Sequence, residues 1–236
     1  MKYLNMANRI QSNNKPETLL TMIDLSGSMY TDDIKPNRME AAIMANNEIV
    51  KVKKRSYPDD KIGIISFQTT AKFSLIPTHS KDIYNFNEVI NDTGLEGGTD
   101  FTTPLELAHN YFSGKTVNPG NSSIKKILSS IFFEQSIVKY SPIRNENDNS
   151  IKRIILLTDG EHLGKGNPVK IADKLKGIGA TIDCIGIGGS PMDVDEELLK
   201  QIASRNQDGS IRYSFIGDRE HLLRKYSSLA HHLRTV

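Results

Sequence analysis

The chain has 236 residues, 37% of them hydrophobic and 25% charged, enough apolar material for one sizeable core. Its 30 Lys and Arg against 28 Asp and Glu leave a formal charge of +2, too small an excess to call for nucleic acid or an anionic membrane surface. Cys184, the one cysteine, cannot form an internal disulfide and lies in an apolar run, so it reads as a buried thiol in a cytoplasmic protein. Met1 to Asn5 opens no signal-peptide stretch, and no apolar run approaches the roughly twenty residues that span a bilayer.

Residues 1–15 read as a flexible lead-in, and a single domain is expected over 16–236. Thr18–Ile23, apolar and β-favouring, empties into Asp24-Leu25-Ser26-Gly27-Ser28-Met29. One carboxylate and two hydroxyls at alternate positions on a turn leaving a strand bring three oxygens toward one point, as a small hard cation requires. Taken alone, the same pattern serves equally well as a helix N-cap. Met39, Ile43, Met44, Ile49, Val50 and Val52 approximate helical spacing over about 37–55. Tyr57-Pro58-Asp59-Asp60 is a turn, and Lys61–Phe67 a β-branched strand expected beside the first. Ala71–Ile76 follows too closely for a helical crossover, so it is expected antiparallel, at an edge.

Gly97-Gly98-Thr99-Asp100, continuing to Leu105, reads as a loop whose glycines allow close backbone approach and whose Thr99 adds a hydroxyl. Residues 116–150 fit the rhythm least. They hold a helical candidate, Ile124–Val138, and a polar tail, Arg144–Ser150, and read as an elaborated crossover or an insertion, the crossover being preferred. Ile151–Thr158 is a buried-type strand ending in Asp159-Gly160-Glu161. A helix is expected from Pro168 to about Ile178, and a strand over Ala180–Ile187. The acidic turn Asp193–Glu197 opens a helix reaching about Ser204. Asp208-Gly209 turns into a last strand, Ile211–Ile216, and Leu222, Leu223, Tyr226, Leu229, Ala230 and Leu233 mark a closing helix over about 219–233.

Strand-length runs alternating with helical ones predict an α/β fold: a Rossmann-like, doubly wound, mostly parallel sheet with one antiparallel edge strand and helices on both faces. The carboxyl ends of parallel strands share one edge, where ligands settle. Asp24, Ser26, Ser28 and Asp159 open at that edge, and Thr99 can join them, so one metal ion can draw on three loops.

Together, Asp24-Leu25-Ser26-Gly27-Ser28, Thr99 and Asp159 resemble the metal-ion-dependent adhesion site of the von Willebrand factor type A domain family, whose signature Asp-x-Ser-x-Ser, Thr, Asp is filled here without substitution. Gly27-Ser28-Met29, Gly97-Gly98-Thr99-Asp100 and Leu157-Thr158-Asp159-Gly160 resemble the wording of its bacterial and intracellular members. The likeness runs from about Pro16 to Leu233, with 116–150 longer than the family needs. It implies a Mg²⁺ ion, with Mn²⁺ or Ca²⁺ as substitutes, held by Ser26, Ser28, Thr99, Asp24 and Asp159 and completed by an acidic side chain of a partner protein. Adaptors of bacterial stress-response, tellurite-resistance or defence systems are the expected context, and an accessory subunit of an AAA-ATPase or chelatase-type complex is the alternative. Asp100, Thr102, Thr103 and Glu161 are expected as solvated or supporting neighbours.

An enzyme is the rival class. A strand-end Asp also serves as nucleophile in haloacid-dehalogenase-type phosphatases, but those want a second Asp where this chain has Ser26. No Gly-x-x-x-x-Gly-Lys-Ser/Thr phosphate loop occurs. His79, His109, His162, His221 and the adjacent His231-His232 lack paired ligand spacing. The expectation is a binding module without catalytic residues.

Overall fold

The computed structural model describes residues 15–83, 98–117 and 149–232, with side chains to residue 230. Six strands form one sheet: β1 (Glu17–Asp24), β2 (Lys61–Phe67), β3 (Ala71–His79), β4 (Ile151–Thr158), β5 (Ala180–Ile187) and β6 (Tyr213–Ile216). Their order is β3-β2-β1-β4-β5-β6. All neighbours are parallel except β3, which pairs antiparallel with β2. This is the Rossmann-like mixed sheet read from the sequence. Strand order reverses beside β1, which is held between β2 and β4, with Ile23 opposite both Ser66 and Leu157. The resulting crevice lies at the carboxyl ends of β1 and β4.

Side chains alternate along each strand, so one sheet supplies two cores. On one face Leu19, Ile23, Ile64, Ile155, Leu157 and Ile185 pack under α1 (Arg38–Ser56) and α5 (Arg219–His232). Ala41, Ala42 and Ala45 are fully buried in α1 and bring it close to the sheet. The other face carries Leu20, Met22, Ile65, Phe67, Ile154, Leu156, Ile182 and Cys184 beneath α2 (Thr102–Phe112), α3 (Pro168–Gly177) and α4 (Glu196–Ile202). Each large apolar side chain sealed there contributes about 1.5–3 kcal/mol. The Cys184 thiol is buried, as expected, and burial pushes its pKa up.

The start of one helix, the end of another and the length of the last strand depart from the sequence reading. The stretch taken as loop through Leu105 becomes helix from Thr102, because Asp100 Oδ1 accepts from the Thr102 amide at 2.8 Å and Leu105, Ala108, Tyr111 and Phe112 present a buried stripe. The helical crossover preferred for 116–150 falls almost wholly on residues 118–148, which lie outside the described residues. The helix expected to reach Ser204 ends at Ile202: Ser204 instead pairs with β5, its amide donating to Ile182 O at 2.8 Å and its Oγ accepting from Ile182 N at 2.9 Å. That detour also shortens the last strand, since Ile211 bridges back to Arg205 rather than extending β6. The proposed lead-in lies outside the described residues up to Asn14; Pro16 already accepts from Ile151 N at 2.9 Å.

Candidate metal centre

β1 delivers Asp24 to the crevice, and the backbone then turns through a short 3-10 helix, Gly27–Tyr30. Leu25 N still donates to Phe67 O at 2.9 Å, and Met29 is fully buried beneath the turn. This anchoring fixes the two serines. Asp24 Oδ1 accepts from Ser26 N at 2.8 Å, while Ser26 Oγ and Ser28 Oγ stand 3.0 Å apart. From the end of β4, Asp159 Oδ1 accepts from Ser28 Oγ at 2.8 Å and from Ser26 Oγ at 3.4 Å.

Thr99 closes the third side. Its Oγ1 donates to Asp24 Oδ2 at 3.3 Å, and its carbonyl accepts from Leu163 N at 2.8 Å. A Cβ at Gly160 would stand 3.3 Å from Thr99 Oγ1, so the glycine leaves the hydroxyl its room. The next residue along, Asp100, is tied by its amide to Gln68 O at 2.8 Å. Gln68 in turn donates through Nε2 to Leu25 O, joining this loop to the first. Gly97, read with the same loop, lies outside the described residues.

All five oxygen-bearing residues singled out from the sequence therefore meet at the carboxyl edge. The spacings of 2.8–3.4 Å match the edge of an octahedron of oxygens around Mg²⁺, about 2.9 Å for metal–oxygen bonds of 2.0–2.1 Å. Charge points the same way. Burial pushes the Asp24 carboxyl up to about 6, with the Asp159 charge adding to the rise, and burial also raises Asp159. Two sealed carboxylates that resist ionising together are what a divalent cation relieves. Asp24, Asp159, Thr99 and Ser26 are buried and Ser28 is exposed, so the site opens to solvent on one side. Among the described residues no three His, Cys, Asp or Glu side chains gather as ligands, and the hydroxyls must supply the rest of the donor set.

Two contributors escaped the sequence reading. Thr158 Oγ1 donates to Asp24 Oδ2 at 2.7 Å from the strand end, where the sequence marked it only as the last residue of the strand. Arg38, the first residue of α1, donates through Nη1 to Asp159 Oδ2 at 2.9 Å across a sequence separation of 121. No local pattern announces that contact. Of the supporting neighbours, Asp100 starts α2, and Thr103 Oγ1 donates to the Asp100 carbonyl at 3.3 Å. His162 stacks on Phe101 at 5.5 Å, its Nδ1 accepting from Phe101 N at 3.1 Å, which is a packing role. A Cβ at Gly164 would come within 2.3 Å of Asp100 Cγ. Gly164→Ala should displace that carboxylate and loosen the start of α2, lowering the melting temperature by a few degrees, about 1 kcal/mol.

The raised Asp24 carboxyl sets a pH dependence. Protons compete with the cation, so affinity for Mg²⁺ should fall as pH drops through about 6. In the metal-free chain the sign reverses: an acid whose folded pKa lies above its unfolded one adds stability that is full below the unfolded value and lost as pH rises through about 6. Melting curves between pH 4 and 8, with Mg²⁺ and with chelator, should diverge as pH rises. Parallel curves would contradict the assignment of Asp24 to the site.

The von Willebrand factor type A domain model matches residues 19–162. A search of the curated proteins finds no significant match. Among solved structures, a von Willebrand factor type A protein from Catenulispora acidiphila aligns with a TM-score of 0.63 at 18% identity over 92% of this chain and 42% of its own. The SpRpn10 VWA domain aligns at 0.61 with 18% identity over 94% and 98%. Proximal thread matrix protein 1 from the mussel byssus, with a zinc-occupied MIDAS motif, aligns at 0.59 with 19% identity over 92% and 48%. The chain thus spans less than half the length of the Catenulispora and mussel proteins, and at such identities these structures speak for the fold alone. With the family model covering more than half of the sequence, the chain belongs to the von Willebrand factor type A domain family.

Proposed function

We propose that this domain is a metal-dependent protein-interaction module. Ser26 and Ser28 would hold a Mg²⁺ ion directly, Asp24 and Asp159 would supply negative charge, and Thr99 would complete the protein's share; Mn²⁺ or Ca²⁺ would substitute. The bound cation supplies an electrophilic position for a carboxylate, offered by an Asp or Glu of a partner. The observation that carries this reading is the convergence of five oxygen donors from three loops on one solvent-open point, with both carboxylates raised by burial.

A recognition role fits the surroundings better than catalysis. Asp24 has no exposed surface, and both its oxygens accept hydrogen bonds, so it is poorly placed to attack a phosphate as a nucleophile. Tyr30, Leu163 and Met192 are 53, 70 and 92% exposed. They lie within a few residues of Ser28, Asp159 and Asp193 along the chain, and exposed apolar side chains at such positions suit a polypeptide ligand. The described helices include none long and apolar enough to cross a membrane. A cytoplasmic adaptor in a bacterial stress-response, tellurite-resistance-like or defence system is the context we favour, and an AAA ATPase is the first partner to try.

The test has two parts. Isothermal titration of the full chain with Mg²⁺ and Mn²⁺ should show one site, lost in Asp159→Ala. Co-purification with candidate ATPases should require Mg²⁺ and be abolished by EDTA; binding indifferent to chelator would overturn the metal bridge. Metal-dependent phosphatase turnover that vanishes in Asp24→Asn would overturn the binding reading altogether.

A further inference from the structure

Arg38 is 6% exposed and carries the only positive charge bonded to the carboxylates around the centre among the described residues. Its guanidinium is shared among three of them. Nη1 donates to Asp159 Oδ2 at 2.9 Å, Nε and Nη2 form a fork on Asp33 at 2.9 and 2.5 Å, and Nη2 also reaches Asp193 Oδ2 at 3.1 Å. Asp33 lies in the loop between the serine turn and α1, and Asp193 in the loop after β5. The two loops touch directly: a Cβ at Gly189 would stand 2.9 Å from Asp33 Oδ2. Asp193 Oδ2 further accepts from Ser190 N at 3.1 Å, which closes the second loop on itself.

We infer that Arg38 is the positioning residue of the metal centre and links metal occupancy to the loops at residues 31–37 and 188–193, an inference that rests on the proposed metal site. The geometry divides the work on Asp159. Arg38 occupies Oδ2, so the carboxylate plane is fixed and only Oδ1 faces Ser26 and Ser28. A planar fork can do this while also gripping Asp33; a point charge cannot. Any shift of Asp159 on taking a cation must therefore move the guanidinium or stretch its bonds, and both loops follow. Coulomb repulsion between Arg38 and a cation opposes this benefit, but Asp33 and Asp193 already neutralise the guanidinium, so orientation decides the sign.

Outer partners of metal ligands typically carry about 10–100-fold in affinity. Arg38→Met in the full chain should weaken Mn²⁺ binding by about that factor, measured by electron paramagnetic resonance of free Mn²⁺. Arg38→Lys should recover part of the affinity. Hydrogen exchange supplies the second readout: Mn²⁺ should slow exchange at 31–37 and 188–193 in the wild type and leave both unchanged in Arg38→Met. Should Arg38→Met fail to fold, Asp193→Asn and Asp33→Asn cut only the loop side, and each should lose the metal-dependent protection of its own loop while the melting curve stays cooperative. Wild-type affinity in Arg38→Met, or loops in the wild type that ignore the metal, would overturn the inference. A wild type that binds no Mn²⁺ would instead overturn the proposed function.

Discussion

Asp24→Asn is expected to weaken Mg²⁺ binding by roughly a hundredfold, about 3 kcal/mol, while leaving the metal-free fold as stable as the wild type or slightly more so. The two effects have one cause. Asp24 has no exposed surface, and burial already holds its carboxyl up to about 6 in the absence of a cation. Removing the charge relieves that desolvation cost in the empty protein and removes half of the negative charge that would face a divalent ion. The amide can keep the local bonds, since its oxygen still accepts from Ser26 N, and the hydroxyls of Thr158 and Thr99 can rotate to accept from its NH₂. A ligand at a hundred times its dissociation constant stabilises a fold by about 2.7 kcal/mol. Mg²⁺ at that concentration should thus raise the wild-type melting temperature by several degrees and that of Asp24→Asn by only about one degree or less. A variant that gained as much as the wild type from Mg²⁺ would place the cation elsewhere, and one that lost its fold without metal would make Asp24 structural.

How far the sequence revealed this site depends on separation along the chain. Asp24, Ser26 and Ser28 sit within one turn, and strand-to-turn patterning located Asp159, so their oxygens could be brought together by topology alone. Thr99 needed the loop glycines and the family signature. Arg38 was invisible for a physical reason: an arginine at the start of an amphipathic helix looks like solvated surface, and only the docking of α1 turns it under the loops toward Asp159. The strands were legible because parallel pairing buries both faces and favours continuous apolar runs, as in Ile154–Leu157 and Cys184–Ile187. α2 was not, since its first residues, Thr102-Thr103-Pro104, resemble the loop before them until Asp100 caps the Thr102 amide. The early end of α4 likewise follows from a tertiary bond, that of Ser204 to Ile182, which no propensity encodes.

At the opposite edge of the sheet, Lys53→Met is expected to be the most destabilising of these substitutions, by about 3–5 kcal/mol. Lys53 of α1 is fully buried, and its ammonium donates to Glu17 Oε1 and Asp60 Oδ2, both at 2.8 Å and both with no exposed side-chain surface. Asp60 Oδ1 also accepts from Glu17 N at 2.9 Å, so the cluster fixes where β1 enters the sheet. Methionine fills much the same volume, which isolates the electrostatic loss: two sealed carboxylates then lose the ammonium they share. Even with Lys53 present, burial holds the Glu17 carboxyl above its usual range. In the variant the folded state must bind protons there more tightly than the unfolded chain. Its stability deficit should therefore be smallest near pH 4 and widen as pH rises toward 7, the reverse of ordinary acid unfolding. Adding Glu17→Gln and Asp60→Asn should restore most of the loss, because removing all three charges leaves no ion unpaired. Urea melts at pH 4 and 7 for the single and triple variants decide the matter, and a loss below about 1 kcal/mol at both pH values would refute it. Seven residue steps along β1 separate Glu17 of this cluster from Asp24, about 23 Å at strand rise, so Mn²⁺ affinity of the folded Lys53→Met chain should equal that of the wild type.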